Sequence, residues 1–269
     1  MRAPAALAFA ALAALTTPAG AGPRVYSLDQ CADQYVLALS PRADIAGLSR
    51  RATKADSYLR ADARGLPSRR ATSESVLASG PAVVVRYWGG DARLLADLKR
   101  RGVRVVAIDD AADFSGVRAN IRRVATALDA RWAGEVLIAR MTAKLAAAKG
   151  AWGGAGALYL TSGGATAGRG TLMDAMLRAA GLTNLTAGAG FPRLSLERLI
   201  LTPPAALVLG FFDAGTDALQ HWGLGRRAPL RRLAEQRAIV SLPGAILGCP
   251  AWFVADGAAA IASGKGRSG

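Results

Sequence analysis

The chemistry open to these 269 residues is bounded by one histidine, His221, and two cysteines, Cys31 and Cys249. A metal site built from several histidines is excluded, and one histidine with two cysteines cannot supply the four ligands of a zinc finger. The chain has no G-x-S-x-G elbow, no H-E-x-x-H pair and no phosphate-loop lysine. His221 reads as a surface or loop residue. The glycine-rich run 164–171 follows an expected strand and opens a helix, so its amides could hold an anion. Its spacing matches neither standard nucleotide fingerprint. Binding chemistry remains. Aromatic residues are only 6% of the chain, yet several sit just past expected strands. Tyr87-Trp88 follow Arg86 and precede Gly89-Gly90, Phe211-Phe212 close another strand, and Trp252-Phe253 follow Cys249-Pro250. Core packing explains Phe211 and Phe253 at least as well, but Trp88 precedes two glycines where the chain must turn. Broad aromatic faces beside arginines such as Arg86 and Arg169 suit a large, flat, partly apolar ligand bearing negative groups.

Apolar runs alternating with helical patterns must position those residues. The spacing predicts strands over 24–28, 82–87 and 104–108, with helices over 29–39 and 91–101 and Gly102 stopping the second. Such β-α-β order argues for a parallel sheet. A helical stretch over 114–149 is expected to break near Asp129, which could cap a second helix over 130–149. Alternation resumes with strands over 157–160, 205–212 and 239–242 and helices over 171–180, 195–201, 230–236 and 249–263. A faint repeat spans the halves: Glu74 and Glu197 each stand seven residues before a proline, Pro81 or Pro204, that opens an apolar strand. Each follows a serine suited to capping, Ser73 or Ser195, so a routine helix start explains either one alone. The recurrence is what that explanation misses. The expected fold is α/β: two Rossmann-like lobes with parallel sheets, 22–128 and 151–269, joined by one long helix over 129–150. The groove beyond the strands' carboxyl ends is then the default site.

Residues 1–21 pair a basic start with an apolar stretch and small residues at the end, the pattern of a secretory signal peptide cleaved after Ala21. Export would let Cys31 and Cys249 form a disulfide; two buried thiols are the alternative. A hydrophobic fraction of 52% excludes intrinsic disorder. The net charge of +15 is spread as single and paired arginines rather than gathered on one face or tail, which argues against a nucleic-acid partner.

Together, Val25-Tyr26-Ser27-Leu28, the two glutamate–proline–strand phrases and the stretch from Gly168-Arg169-Gly170-Thr171 to Gly181-Leu182-Thr183-Asn184 resemble the helical-backbone (class III) periplasmic binding proteins of ABC importers for vitamin B12, ferric siderophores and haem. Trp88-Gly89-Gly90-Asp91-Ala92 and Trp252-Phe253 are most similar to its B12-binding members. The resemblance implies a monomeric, non-enzymatic periplasmic receptor that hands a metal chelate, foremost a corrinoid, to a permease dimer in the inner membrane. It needs no cofactor. It also implies docking through Glu74 and Glu197, and a cleft with Trp88 and Trp252 at its rim and Tyr58 in a loop facing it; Arg86, Tyr87, Arg169 and Phe212 join these as ligand-binding candidates from their own residue types and their places beside expected strands and the glycine-rich run. A siderophore or haem receptor, and an exported α/β enzyme, are the alternatives. The family's acid after the strand-opening proline is replaced here by Ala82 and Ala205, and the cysteine positions differ from those of the B12 binders.

Overall fold

The first helix starts where Asp29 accepts from the amides of Cys31 and Ala32, and a parallel strand precedes it. The computed structural model describes residues 22–194, 196–212 and 228–267. The expected leader, Ser195 and His221 lie outside them.

Strands β1 (Val25–Ser27), β2 (Ile45–Ser49), β3 (Ser68–Arg69), β4 (Val83–Arg86) and β5 (Arg104–Ala107) form one sheet in the order β3-β2-β1-β4-β5, parallel throughout. A second parallel sheet, β7-β6-β8-β9, comprises β6 (Gly156–Thr161), β7 (Thr183–Asn184), β8 (Ala206–Gly210) and β9 (Ala238–Leu242). Helices α1 (Gln30–Leu39), α2 (Ser73–Ala78), α3 (Ala92–Arg100) and α4 (Phe114–Ala127) accompany the first sheet. Helices α6 (Leu172–Ala179), α7 (Leu196–Leu201), α8 (Ala228–Arg237), α9 (Gly244–Leu247) and α10 (Val254–Ser263) accompany the second. Between them runs α5 (Arg131–Ala148), whose 18 residues span about 27 Å at ~1.5 Å per residue.

Strand alternation divides the core into layers. Val25, Val83 and Val85 face one side of the first sheet, whereas Tyr26 and Val84 face the other with Val76, Leu94 and Leu98 of α2 and α3. The second sheet repeats this: Ala157, Tyr159, Ala206 and Val208 face inward, and Leu158, Leu160 and Leu207 face Leu199 and Leu233 of α7 and α8. The inward faces share one continuous core with α1, α4, α5 and α10, so the lobes are packed on one another rather than strung apart.

Local chemistry corrects several expectations. Asp129 does not cap α5. It lies at φ +55° just beyond α4, with Ala130 N–H bonding to Ala125 O and Asp129 N–H to Thr126 O. That is a Schellman stop for α4, and α5 starts without a side-chain cap. Thr72, not Ser73, caps α2, in a reciprocal box with Ser75. The last helix begins at Val254 rather than residue 249, because Cys249 is tied to Cys31 and Pro250 has no amide to donate. Strands β2, β3 and β7 and the short α9 were not expected at all.

Candidate ligand cleft

Cys31 at the start of α1 and Cys249 beyond α9 are bonded to each other, with Cα atoms 5.3 Å apart and a sequence separation of 218. Close to this tie, the Tyr35 hydroxyl donates to Pro250 O at 2.6 Å, and the Tyr35 ring meets Trp252 edge-on. Tyr58 stacks on Phe253 at 4.2 Å and donates to Asp256, which also receives Lys144 of α5. The lobes are thus fastened along one side.

On the open side lies a cleft of about 670 Å³. Its walls come from the carboxyl ends of both sheets: Tyr87 and Trp88 after β4, Asp110 after β5, Tyr159 of β6, and Phe211 after β8. Met173 and Met176 of α6 form part of the wall, and the run 247–250, Cys249 included, closes it beside the disulfide. The Tyr87 and Trp88 rings stack on each other at 4.6 Å, and the Tyr87 hydroxyl donates to Asp110. Burial, followed by the Asp110 carboxylate, pushes the Tyr87 phenol up, so it stays protonated; burial alone does the same to Tyr159. Phe191 of the second lobe lines the same cleft, and its ring, 72% exposed, and that of Trp88, 75% exposed, are the least covered aromatics of the lining. Phe211 adopts φ +60°, a conformation aromatic residues seldom hold without surrounding constraint.

Of the residues singled out in the sequence, Tyr87 and Trp88 line this cleft. Tyr58 and Trp252 are engaged in the fastened side. Arg86 donates to Gly89 O at 2.7 Å and Trp88 O at 3.4 Å, behind the rim. Arg169 is exposed beside the lining residue Gly170, and Phe212 is half-buried next to the lining Phe211. No arginine is among the described lining residues. Asp110, Tyr159, Met173, Met176 and Phe191 also line the cleft without standing out in the sequence, and Phe211, for which core packing is at least as good an explanation, lines it too. Phe191 alone carried a usable signal, since Gly188, Gly190 and Pro192 around it mark an exposed turn.

Glu74 and Glu197 occupy equivalent places in the two halves. Each is exposed in the first turn of a helix leading into the strand beside its sheet's first strand, and each precedes by two residues a buried anchor, Val76 or Leu199. A model of the periplasmic binding protein family matches residues 25–215. The chain belongs to that family. The fold agrees with solved members. The periplasmic heme-binding protein of Roseiflexus sp. RS-1 shares 26% identity at a TM-score of 0.69, over 91% of this chain and 99% of that one. A periplasmic heme-binding protein of Pseudomonas aeruginosa shares 26% at 0.67, over 90% and 92%. The periplasmic vitamin B12-binding protein of Vibrio cholerae has the same fold at 15% identity and a TM-score of 0.60, over 92% and 98%. No curated protein sequence matches the chain. The family and these neighbours are solute-binding proteins, and two parallel sheets joined by a long helix are their class III architecture. No described helix is long and apolar enough to cross a membrane.

Proposed function

We propose that the protein is a periplasmic receptor that takes a cyclic metal chelate, a corrinoid first, into the cleft between lobes 22–128 and 151–269 and delivers it to an ABC importer. The observation carrying this reading is the lining: five aromatic residues, Tyr87, Trp88, Tyr159, Phe191 and Phe211, supplied by both lobes, with methionines filling between them. Such a wall offers dispersion and stacking to a broad ring system. With no arginine among the described lining residues, it suits a ligand of low charge such as a corrinoid amide better than a polyanion. A haem is the second reading, favoured by the heme-binding neighbours at 26% identity.

In this reading Tyr87 and Trp88 grip the ligand from the first lobe and Phe191 and Phe211 from the second. The disulfide and the Tyr35 and Tyr58 contacts keep the cleft preformed, so little affinity is spent on closing it. The helix within 129–150 holds the lobes at a fixed separation. Glu74 and Glu197 dock one lobe on each permease subunit, and the receptor works as a monomer. Titration of the chain starting at Gly22 with cyanocobalamin and, separately, with hemin tests the proposal. Micromolar or tighter binding of the first supports it, binding of hemin alone selects the second reading, and binding of neither overturns both.

A further inference from the structure

Asp29 does more than helix capping accounts for. One carboxylate oxygen accepts from the amides of Cys31 and Ala32 at 3.1 and 3.0 Å and caps α1. The other accepts from the amides of Tyr87 at 2.6 Å and Gly89 at 2.9 Å, residues 58 and 60 positions away. Those two amides flank Trp88, the most exposed aromatic of the cleft rim. On the other edge of the same turn, Arg86 donates to the carbonyls of Gly89 and Trp88. The turn is pressed against β1's end: a Cβ on Gly89 would stand 2.7 Å from both Cβ and O of Leu28. An exposed indole on a short loop ordinarily samples many orientations, and ordering it on binding costs affinity.

We propose that Asp29 is a positioning residue of the ligand cleft: by clamping the Tyr87 and Gly89 amides it pre-sets the Trp88 face before ligand arrives. The inference rests on the cleft reading above for its effect on binding, but its structural half stands apart from any ligand. Charge strengthens the clamp, because hydrogen bonds donated by backbone N–H groups to a carboxylate are about twice as strong as those between neutral groups. Position adds to it, because the same residue anchors the helix that carries Cys31 and Tyr35, the ties to the second lobe. Loop order and lobe fastening therefore share one root.

The test uses Asp29→Ser, since serine remains a good helix cap but is one bond shorter and cannot bridge to the turn. Steady-state anisotropy and acrylamide quenching of Trp88 are read without ligand, as the difference between each protein and its Trp88→Phe counterpart. Lower anisotropy and at least twofold greater quenching are expected in Asp29→Ser, read well below its thermal midpoint, which falls with the two lost bonds to the carboxylate. Unchanged Trp88 signals would overturn the proposal. Where the parent binds cyanocobalamin or hemin, Asp29→Ser is expected to weaken binding about tenfold, equivalent to ~1.4 kcal/mol. It should weaken it less than twofold in a Trp88→Ala background. Equal losses in both backgrounds would show a merely structural role and overturn the proposal. If the parent binds neither ligand, the cleft reading fails while the fluorescence result still decides the placement of Trp88.

Discussion

Replacing Cys31 and Cys249 by serine removes a tie that closes most of the chain into one loop. Cross-linking limits the unfolded ensemble by an entropy that grows with loop length, as −2.1 − 1.5R ln n cal/mol/K. For the 218-residue separation here this amounts to about 5 kcal/mol at 25 °C, the upper end of what native disulfides contribute. Nothing on the folded side offsets it, because both cysteines are buried and the two serine hydroxyls that replace them add a desolvation cost of the same sign. Guanidinium unfolding followed by tryptophan fluorescence gives the readout. With a guanidinium slope of about 5 kcal/mol per molar, near the top of the range for small proteins, the double variant should unfold near 1 M lower denaturant. Parent protein with added reductant should shift nearly as far. A shift under ~0.2 M in the reduced parent, whatever the serine variant shows, would refute the view that the bond acts through the unfolded chain.

Three more outcomes follow from particular residues. Asp33 is fully buried, accepting from Ser27 and from the Ser49 amide at 2.9 Å and hydroxyl at 2.5 Å; burial outweighs these donors and pushes its carboxyl up to about 7. The folded chain therefore holds this proton more tightly than the unfolded one. Its contribution, up to roughly 4 kcal/mol, is complete at low pH and is lost as pH rises from near 3.8 through about 7. Asp33→Asn should flatten the stability profile across that window, measured by denaturant midpoints at pH 4.5 and 7.5; an unchanged slope would contradict the assignment. Gly89→Ala forces a Cβ to 2.7 Å from Leu28 backbone oxygen, so it should destabilise by about 1–3 kcal/mol and raise the dissociation constant, checked by thermal unfolding and titration. Glu74→Ala with Glu197→Ala should leave ligand titration as in the parent while abolishing uptake in vesicles carrying the importer; intact uptake would remove the docking assignment.

The sequence revealed its elements where caps and periodicity were strong. Asp29 and Asp91 both cap their helices, and Val83-Val84-Val85 reads as a strand buried on both faces. β2 escaped because Gly47 interrupts its apolar run. The structure explains that glycine: the Tyr26 ring would meet a Cβ there at 2.3 Å. β3 and β7 have two residues each, too few to show a period. Within the site, Trp88 was legible from the glycines that follow it. Tyr159 and Met173 were not, because an inward-facing core residue and a cleft residue have the same local pattern. Tyr58 and Trp252 have the right chemistry for a ligand, but tertiary partners 198 and 217 residues away engage them, which spacing along the chain cannot reveal; Arg86 is taken up locally by the Gly89 carbonyl of its own turn.

The central claim is that aromatic walls from both lobes form a cleft for a cyclic metal chelate. Calorimetric titration of the chain from Gly22 with cyanocobalamin, with hemin in a parallel cell, tests it most directly. One-to-one binding of cyanocobalamin at micromolar concentration or below, weakened at least tenfold by Trp88→Ala, is the expected result. Heat indistinguishable from dilution with both ligands would contradict it.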